Sequence, residues 1–327
     1  MAAMDSVRIG RLALLASGAI AVGGGVWLAK AKLLGSGAPS RGYAACRASV
    51  PVEPGLKKTS AMLGGHFYNG QDAAHVAWLK GHIANRAASE SGEKRRGALA
   101  FASLQGREGS TAAVNTYDNQ IFTWGTGWGG LGGLPMVMNR LVSASPKAAA
   151  RLAACGVTYA GNGSWSIIGD DGKVVTGKAP ALQVIRATPA LMNLFIRLAK
   201  DPSTREAVAD AQLGAFLASS GTFAGSETIA TQALYNFVSH LKHWAPGYVS
   251  GAVESAASEF PGSPSEGRDR MLAPAIVRAF YRKAPAGSYV HKGWKQLQGY
   301  VRDMKADGLD VTGDATLSAS EPPGANA

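Results

Sequence analysis

Between Ala98 and Gly133 the chain changes its local character three times. Ala98-Leu99-Ala100-Phe101-Ala102-Ser103-Leu104 is an apolar, helix-like run that gives out just before Glu108-Gly109. Asn115-Thr116-Tyr117-Asp118-Asn119-Gln120 is polar and turn-prone. Ile121-Phe122-Thr123-Trp124 is short and β-like, and it opens into Gly125-x-Gly127 and a glycine-rich stretch. Any fold of this chain must set a helix end beside a small hairpin. Glu108, Asp118 and Thr123 then stand around that hairpin.

Two carboxyls in unlike surroundings suit the cleavage of a glycosidic bond. That chemistry uses one acid that donates a proton and one carboxylate on the other side of the scissile bond. The donor wants a partly apolar setting, which raises its pKa; its partner wants a wet, hydrogen-bonded one. Glu108 follows an apolar run, whereas Asp118 lies in a polar turn. Thr123 can hold an attacking water together with Asp118. The glycine-rich turn lets a sugar chain approach the backbone, with Trp124 and Trp128 as stacking platforms or as core residues.

The ordered set Glu-Gly, Tyr-Asp and Thr-x-Gly-x-Gly resembles the catalytic core of the bacteriophage-type lysozymes, over residues 92–130. The spacing from Glu108 to Thr123 is the family's own. Asp118 sits one place later than the family's Asp, and Trp128 stands where the phage enzymes usually carry His. The resemblance implies a mainly α (α+β) fold: a lysozyme-like helical domain with a small β-hairpin at the active-site cleft. It implies a muramidase with Glu108 as general acid and Asp118 and Thr123 positioning water. Tyr117, Trp124, Gly125, Gly127 and Trp128 would bind substrate, with no metal and no cofactor. It also implies an inverting site, with carboxyls roughly 6.5–9.5 Å apart to admit the water. A plain structural reading stands beside this one. In it Glu108-Gly109 is an ordinary helix end, Asp118-Asn119 a turn, and Thr123 a strand former.

The chain has 327 residues, 46% hydrophobic, enough for one large core or two small ones. Its formal charge of +11 fits a polyanionic partner. Peptidoglycan with its peptide carboxylates is one. Nothing resembles a zinc finger, an aromatic RNA-binding run or a long basic helix, so nucleic acid is not expected. A chitosanase-like hydrolase would repel its cationic substrate. The second functional class is a non-catalytic wall-binding or structural component of a phage particle or secretion machine. The two cysteines, Cys46 and Cys155, lack metal or redox spacing. Either they pair in an oxidising compartment or they are two buried thiols. His240 and His243 share a helical face without a third ligand and read as surface or packing residues.

Leu12 to Ala29 is uncharged and about long enough to span a bilayer. Lys30 and Lys32 follow it, and no small-x-small cleavage site does, so an uncleaved membrane anchor is expected. The division is then 1–34 anchor or signal-anchor, 35–55 linker, 56–310 lysozyme-like catalytic domain with a C-terminal helical lobe, and 311–327 disordered tail. The expected location is membrane-anchored or exported to the cell envelope, with the virion as a further setting. Helices are predicted over 72–88, 93–107, 135–152, 189–200, 227–243, 267–282 and 292–305. Another is predicted after Ser203, whose spacing to Glu206 reads as a capping box. Ser164 to Thr176 reads as a hairpin turned at 169–172.

Overall fold

The computed structural model describes residues 42–161, 163–249, 251–285 and 287–323. The described protein is mainly helical, with two small antiparallel sheets. Chain order begins with helix α1 (Gly42–Ser49), the hairpin β1 (Lys57–Thr59) and β2 (Gly65–Tyr68), then α2 (Ala73–Ala88) and α3 (Gly92–Leu104). The strands β3 (Val114–Asn115), β4 (Thr123–Trp124) and β5 (Trp128–Gly129) follow and continue the first sheet in the order β1-β2-β3-β4-β5. After α4 (Leu134–Ala144) and α5 (Pro146–Ala154) comes a second sheet of β6 (Val157–Tyr159), β7 (Trp165–Ile168) and β8 (Val174–Thr176). The remaining helices include α6 (Lys178–Ala187), α7 (Pro189–Lys200), α8 (Arg205–Ser219) and α9 (Gln232–Trp244). Further on come α10 (Pro246–Val249), α11 (Ala252–Glu259), α12 (Glu266–Lys283), α13 (Tyr289–Lys292), α14 (Trp294–Ala306) and α15 (Ala315–Ser318).

Local signals explain the element ends. Asp72 starts α2 by accepting from the N–H groups of Ala74 and His75 at 3.0 and 3.2 Å. The single helix expected over 135–152 is two, because Ser145 ends the first and caps the second by accepting from Ala148 N at 3.2 Å. Pro146 at the first helical position supplies the break. The expected capping box after Ser203 is absent: Asp201 Oδ1 accepts from Ser203 N at 2.8 Å, and α8 begins two residues later without a side-chain cap. The helix expected from residue 227 begins at Gln232, since Ser226–Thr228 is a single 3₁₀ turn.

The core sits where α9, buried almost along its length, packs on α3 and α14. On its other side α3 meets α2 and α8, and α8 meets α4 and α7. Alternation across the first sheet gives it one apolar face. Tyr68, Val114, Trp124 and Trp128 lie opposite one another in register and are all buried. Phe195 of α7 covers that face, 4.9 Å from the ring of Phe122 and 5.0 Å from that of Trp124.

Part of the segment read as a linker over 35–55 is α1, and a Cys46–Cys155 disulfide ties it to the core. Buried Arg47 donates to the carbonyls of Cys155, at 3.1 Å, and Ile168 and pairs with Asp170 at 2.8 Å. The tail expected to be disordered from Val311 is packed as far as Ala319. Val311 and Leu317 are buried, and Trp294 Nε1 donates to the Ala319 carbonyl at 3.0 Å.

The expected transmembrane helix and membrane contact must be corrected. Among the described residues no helix is long and apolar enough to cross a membrane. The longest, α12, has 18 residues but carries Glu266, Arg268, Asp269, Arg270, Arg278, Arg282 and Lys283, a composition hydrocarbon does not tolerate. The segment Leu12 to Ala29 lies outside the described residues.

Candidate active site

Glu108 is delivered by the turn that ends α3. Arg107 N and Glu108 N both bond to the Leu104 carbonyl, at 3.1 and 3.2 Å, and the chain then reverses at Gly109. Gly109 has φ of 96°, and a Cβ there would stand 2.9 Å from the Asn69 carbonyl oxygen. Only glycine meets both conditions without strain. Glu108 Oε1 accepts from Gln296 Nε2 of α14 at 3.1 Å. That amide nitrogen also donates to the Tyr300 hydroxyl at 2.9 Å. Burial, and next the charge of Glu108, push the Tyr300 phenol well above its ordinary pKa. Neighbouring Arg107 pairs with Asp307 at 3.1 Å and Asp303 at 3.4 Å, so its charge is compensated away from Glu108.

The hairpin opposite is held by its own side chains. Asp118 Oδ2 accepts from Asn115 Nδ2 at 2.8 Å and from the Thr123 hydroxyl at 3.2 Å, and Oδ1 accepts from Gln120 N at 2.9 Å. Since Thr123 donates its one proton to Asp118, its oxygen stays free to accept from water. Ile121, inside this turn, has φ of 68°, a left-handed conformation that costs a β-branched residue on the order of 1–3 kcal/mol. The strain is held between Asp118 and Thr123, where such outliers cluster in functional sites.

A cleft of about 300 Å³ brings Glu108 and Thr123 together, whereas Asp118 does not line it and touches it only through Asn115 and Thr123. Glu108 and Thr123 line it, as do Tyr117, Gly125 and Gly127. Tyr117 reports on both carboxyls: burial raises its pKa, and the charges of Asp118 and Glu108 add to the effect. Gly125 and Gly127 have φ of 67° and 103°. A Cβ on Gly125 would lie 2.1 Å from the Gln212 side chain. His243 Nε2 donates to the Thr126 carbonyl and so fixes this turn from below. His240 is buried, donates to the Ala100 carbonyl at 3.1 Å, and takes no part in the cleft.

Trp124 and Trp128 are not the stacking platforms that the aromatic reading offered. Both are buried on the core face of the sheet, where Trp128 packs edge-on to His243 with ring centroids 4.9 Å apart. Phe67, Asn69 and Gln71 also line the cleft, from β2 and the loop after it, and no site motif marks them in the sequence. The available signal was the Gly64-Gly65 pair between two short β-like runs. Gln296 and Tyr300 carry no motif at all. Among the described residues no group of three or more His, Cys, Asp or Glu side chains is placed to hold a metal ion.

The chain matches no family model, no curated protein and no solved structure.

Proposed function

We propose that this protein is a lysozyme-like glycoside hydrolase that cuts the glycan backbone of peptidoglycan. One observation carries the reading: Glu108 reaches one cleft from a helix end, and Thr123 reaches it from a hairpin, with Asp118 bonded to the Thr123 hydroxyl behind the lining. In this mechanism Glu108 protonates the glycosidic oxygen. A water held by the Thr123 oxygen attacks the anomeric carbon from the opposite face; its proton passes to the Thr123 oxygen as the hydroxyl proton moves to Asp118. The product anomer is inverted. The charge of +11 suits a polyanionic wall. The Cys46–Cys155 disulfide suits an exported protein, because such bonds persist in oxidising compartments.

The test is digestion of purified peptidoglycan by wild type beside Glu108→Gln. Positioned proton transfer is worth about 10²–10⁴-fold, so the variant should lose that much activity with its fold intact. Full activity in Glu108→Gln sinks the mechanism. A wild-type protein that binds wall without cleaving it supports a non-catalytic wall-binding or structural component instead.

A further inference from the structure

The register of the first sheet places a chemical series on its cleft face. Lys57 pairs with Phe67, Phe67 with Asn115, and Asn115 with Thr123. Residues directly opposite in an antiparallel sheet project to the same side. The four side chains therefore form one row that runs across the strands and ends at the water-holding hydroxyl. Strands lie about 4.8 Å apart, which puts Phe67 about 10 Å and Lys57 about 14 Å from Thr123.

The far end of the row is open to solvent: Lys57 and Phe67 are exposed, Asn115 is half-buried and Thr123 is buried on the cleft lining. Phe67 is 39% exposed, whereas Tyr68, next to it in sequence, is 5% exposed. Tyr117 flanks Phe67 with ring centroids 5.9 Å apart, and both rings line the cleft. Lys57 is exposed on β1, the edge strand. Met62 and Leu63, 69% and 58% exposed, extend the apolar wall around the tip of the β1–β2 hairpin. An exposed ring face continuous with a candidate glycosidase cleft suits a sugar ring, and an ammonium beyond it suits a carboxylate.

We infer that this row is a binding track for an acidic glycan. One sugar ring stacks on Phe67, and a carboxylate carried by the sugar, as a lactyl ether or a peptide stem, meets Lys57. The inference rests on the proposed hydrolase reading for its direction along the cleft, but its binding test is independent of turnover.

The experiment uses the full chain with Glu108→Gln as background and titrates two probes. One is a neutral N-acetylated chitotetraose. The other is a tetrasaccharide containing N-acetylmuramic acid with free carboxylates. Phe67→Ala should weaken both probes by about tenfold, the usual scale of one aromatic contact. Lys57→Gln should weaken the acidic probe alone, by about threefold, and reduce its salt dependence. Phe67 and Lys57 are exposed, and circular dichroism checks that each variant keeps its fold. Unchanged binding after Phe67→Ala, or no binding of either probe by the background protein, overturns the track. Equal weakening of both probes by Lys57→Gln overturns the carboxylate assignment. Wall digestion by wild type is scored separately. Digestion with undiminished probe binding in Phe67→Ala rejects the track alone. Loss of binding in Phe67→Ala without digestion by wild type supports the track and rejects the hydrolase.

Discussion

Asp118 is an acceptor for three donors, from Asn115, Gln120 and Thr123. Asp118→Asn turns one acceptor oxygen into an NH₂ group that cannot satisfy them all. We expect steady-state assays to show a loss smaller than that of Glu108→Gln, because the Thr123 oxygen still faces the cleft. A loss equal to that of Glu108→Gln would give Asp118 the role of an indispensable base. Two buried histidines set an acid limit on stability. Burial, and next the charge of Lys200, lower the pKa of His75 from 6.5 to about 4. Burial lowers that of His240 to about 4 as well. Between these values the unfolded chain binds protons that the folded chain does not, so stability falls as pH drops from 6.5 toward 4. Each residue contributes up to about 3 kcal/mol of that loss. Calorimetric melting temperatures over this range check the sign, and a melting temperature that rises on acidification contradicts it.

Helix α14 reaches the site through Gln296, whose amide holds both the Glu108 carboxyl and the Tyr300 hydroxyl. Gln296→Leu keeps the volume and removes the donor. The expected effect is a fall in kcat of roughly tenfold with little change in KM, since about 1.4 kcal/mol of positioning is lost and the substrate contacts remain. A change confined to KM would place Gln296 in substrate binding instead. At the start of α2, Asp72 caps two N–H groups and pairs with Lys200 at 3.1 Å. Asp72→Ala should cost about 1–2 kcal/mol in urea unfolding, without loss of activity beyond the unfolded fraction.

The whole molecule is closed by a disulfide that spans 109 residues and fastens α1 to the second sheet region. A loop of that length removes up to about 4.7 kcal/mol of unfolded-state entropy. The double variant Cys46→Ala/Cys155→Ala should therefore unfold at a clearly lower urea midpoint. Neither cysteine lines the cleft, which lies between the end of α3 and the first sheet, so activity below the transition should persist. Loss of activity with an unchanged midpoint would contradict this separation.

The sequence by itself determined local features: helix ends set by nearby caps, and the order of Glu108, Asp118 and Thr123 along the chain. Asp72 and the Ser145-Pro146 step act on N–H groups two to four residues away, so the start of α2 and the boundary between α4 and α5 are local facts, although periodicity alone runs 135–152 together as one helix. The Glu108, Asp118 and Thr123 order is likewise local, because the hairpin that gathers Asp118 and Thr123 is only a few residues long. Which faces meet was decided by tertiary structure. Trp124 and Trp128 turn inward because Phe195 of α7 and His243 of α9 cover that side of the sheet, and nothing in their own neighbourhood says so. Phe67 reaches the cleft through a strand pairing with Asn115, 48 residues on. Gln296 reaches Glu108 across 188 residues. Spacing leaves the Cys46–Cys155 pairing open, because it carries no information about distance in space. Periodicity and capping operate within a turn or two of chain. Pairing register, helix docking and disulfide closure depend on how whole apolar faces are covered, and that is settled only when the core assembles.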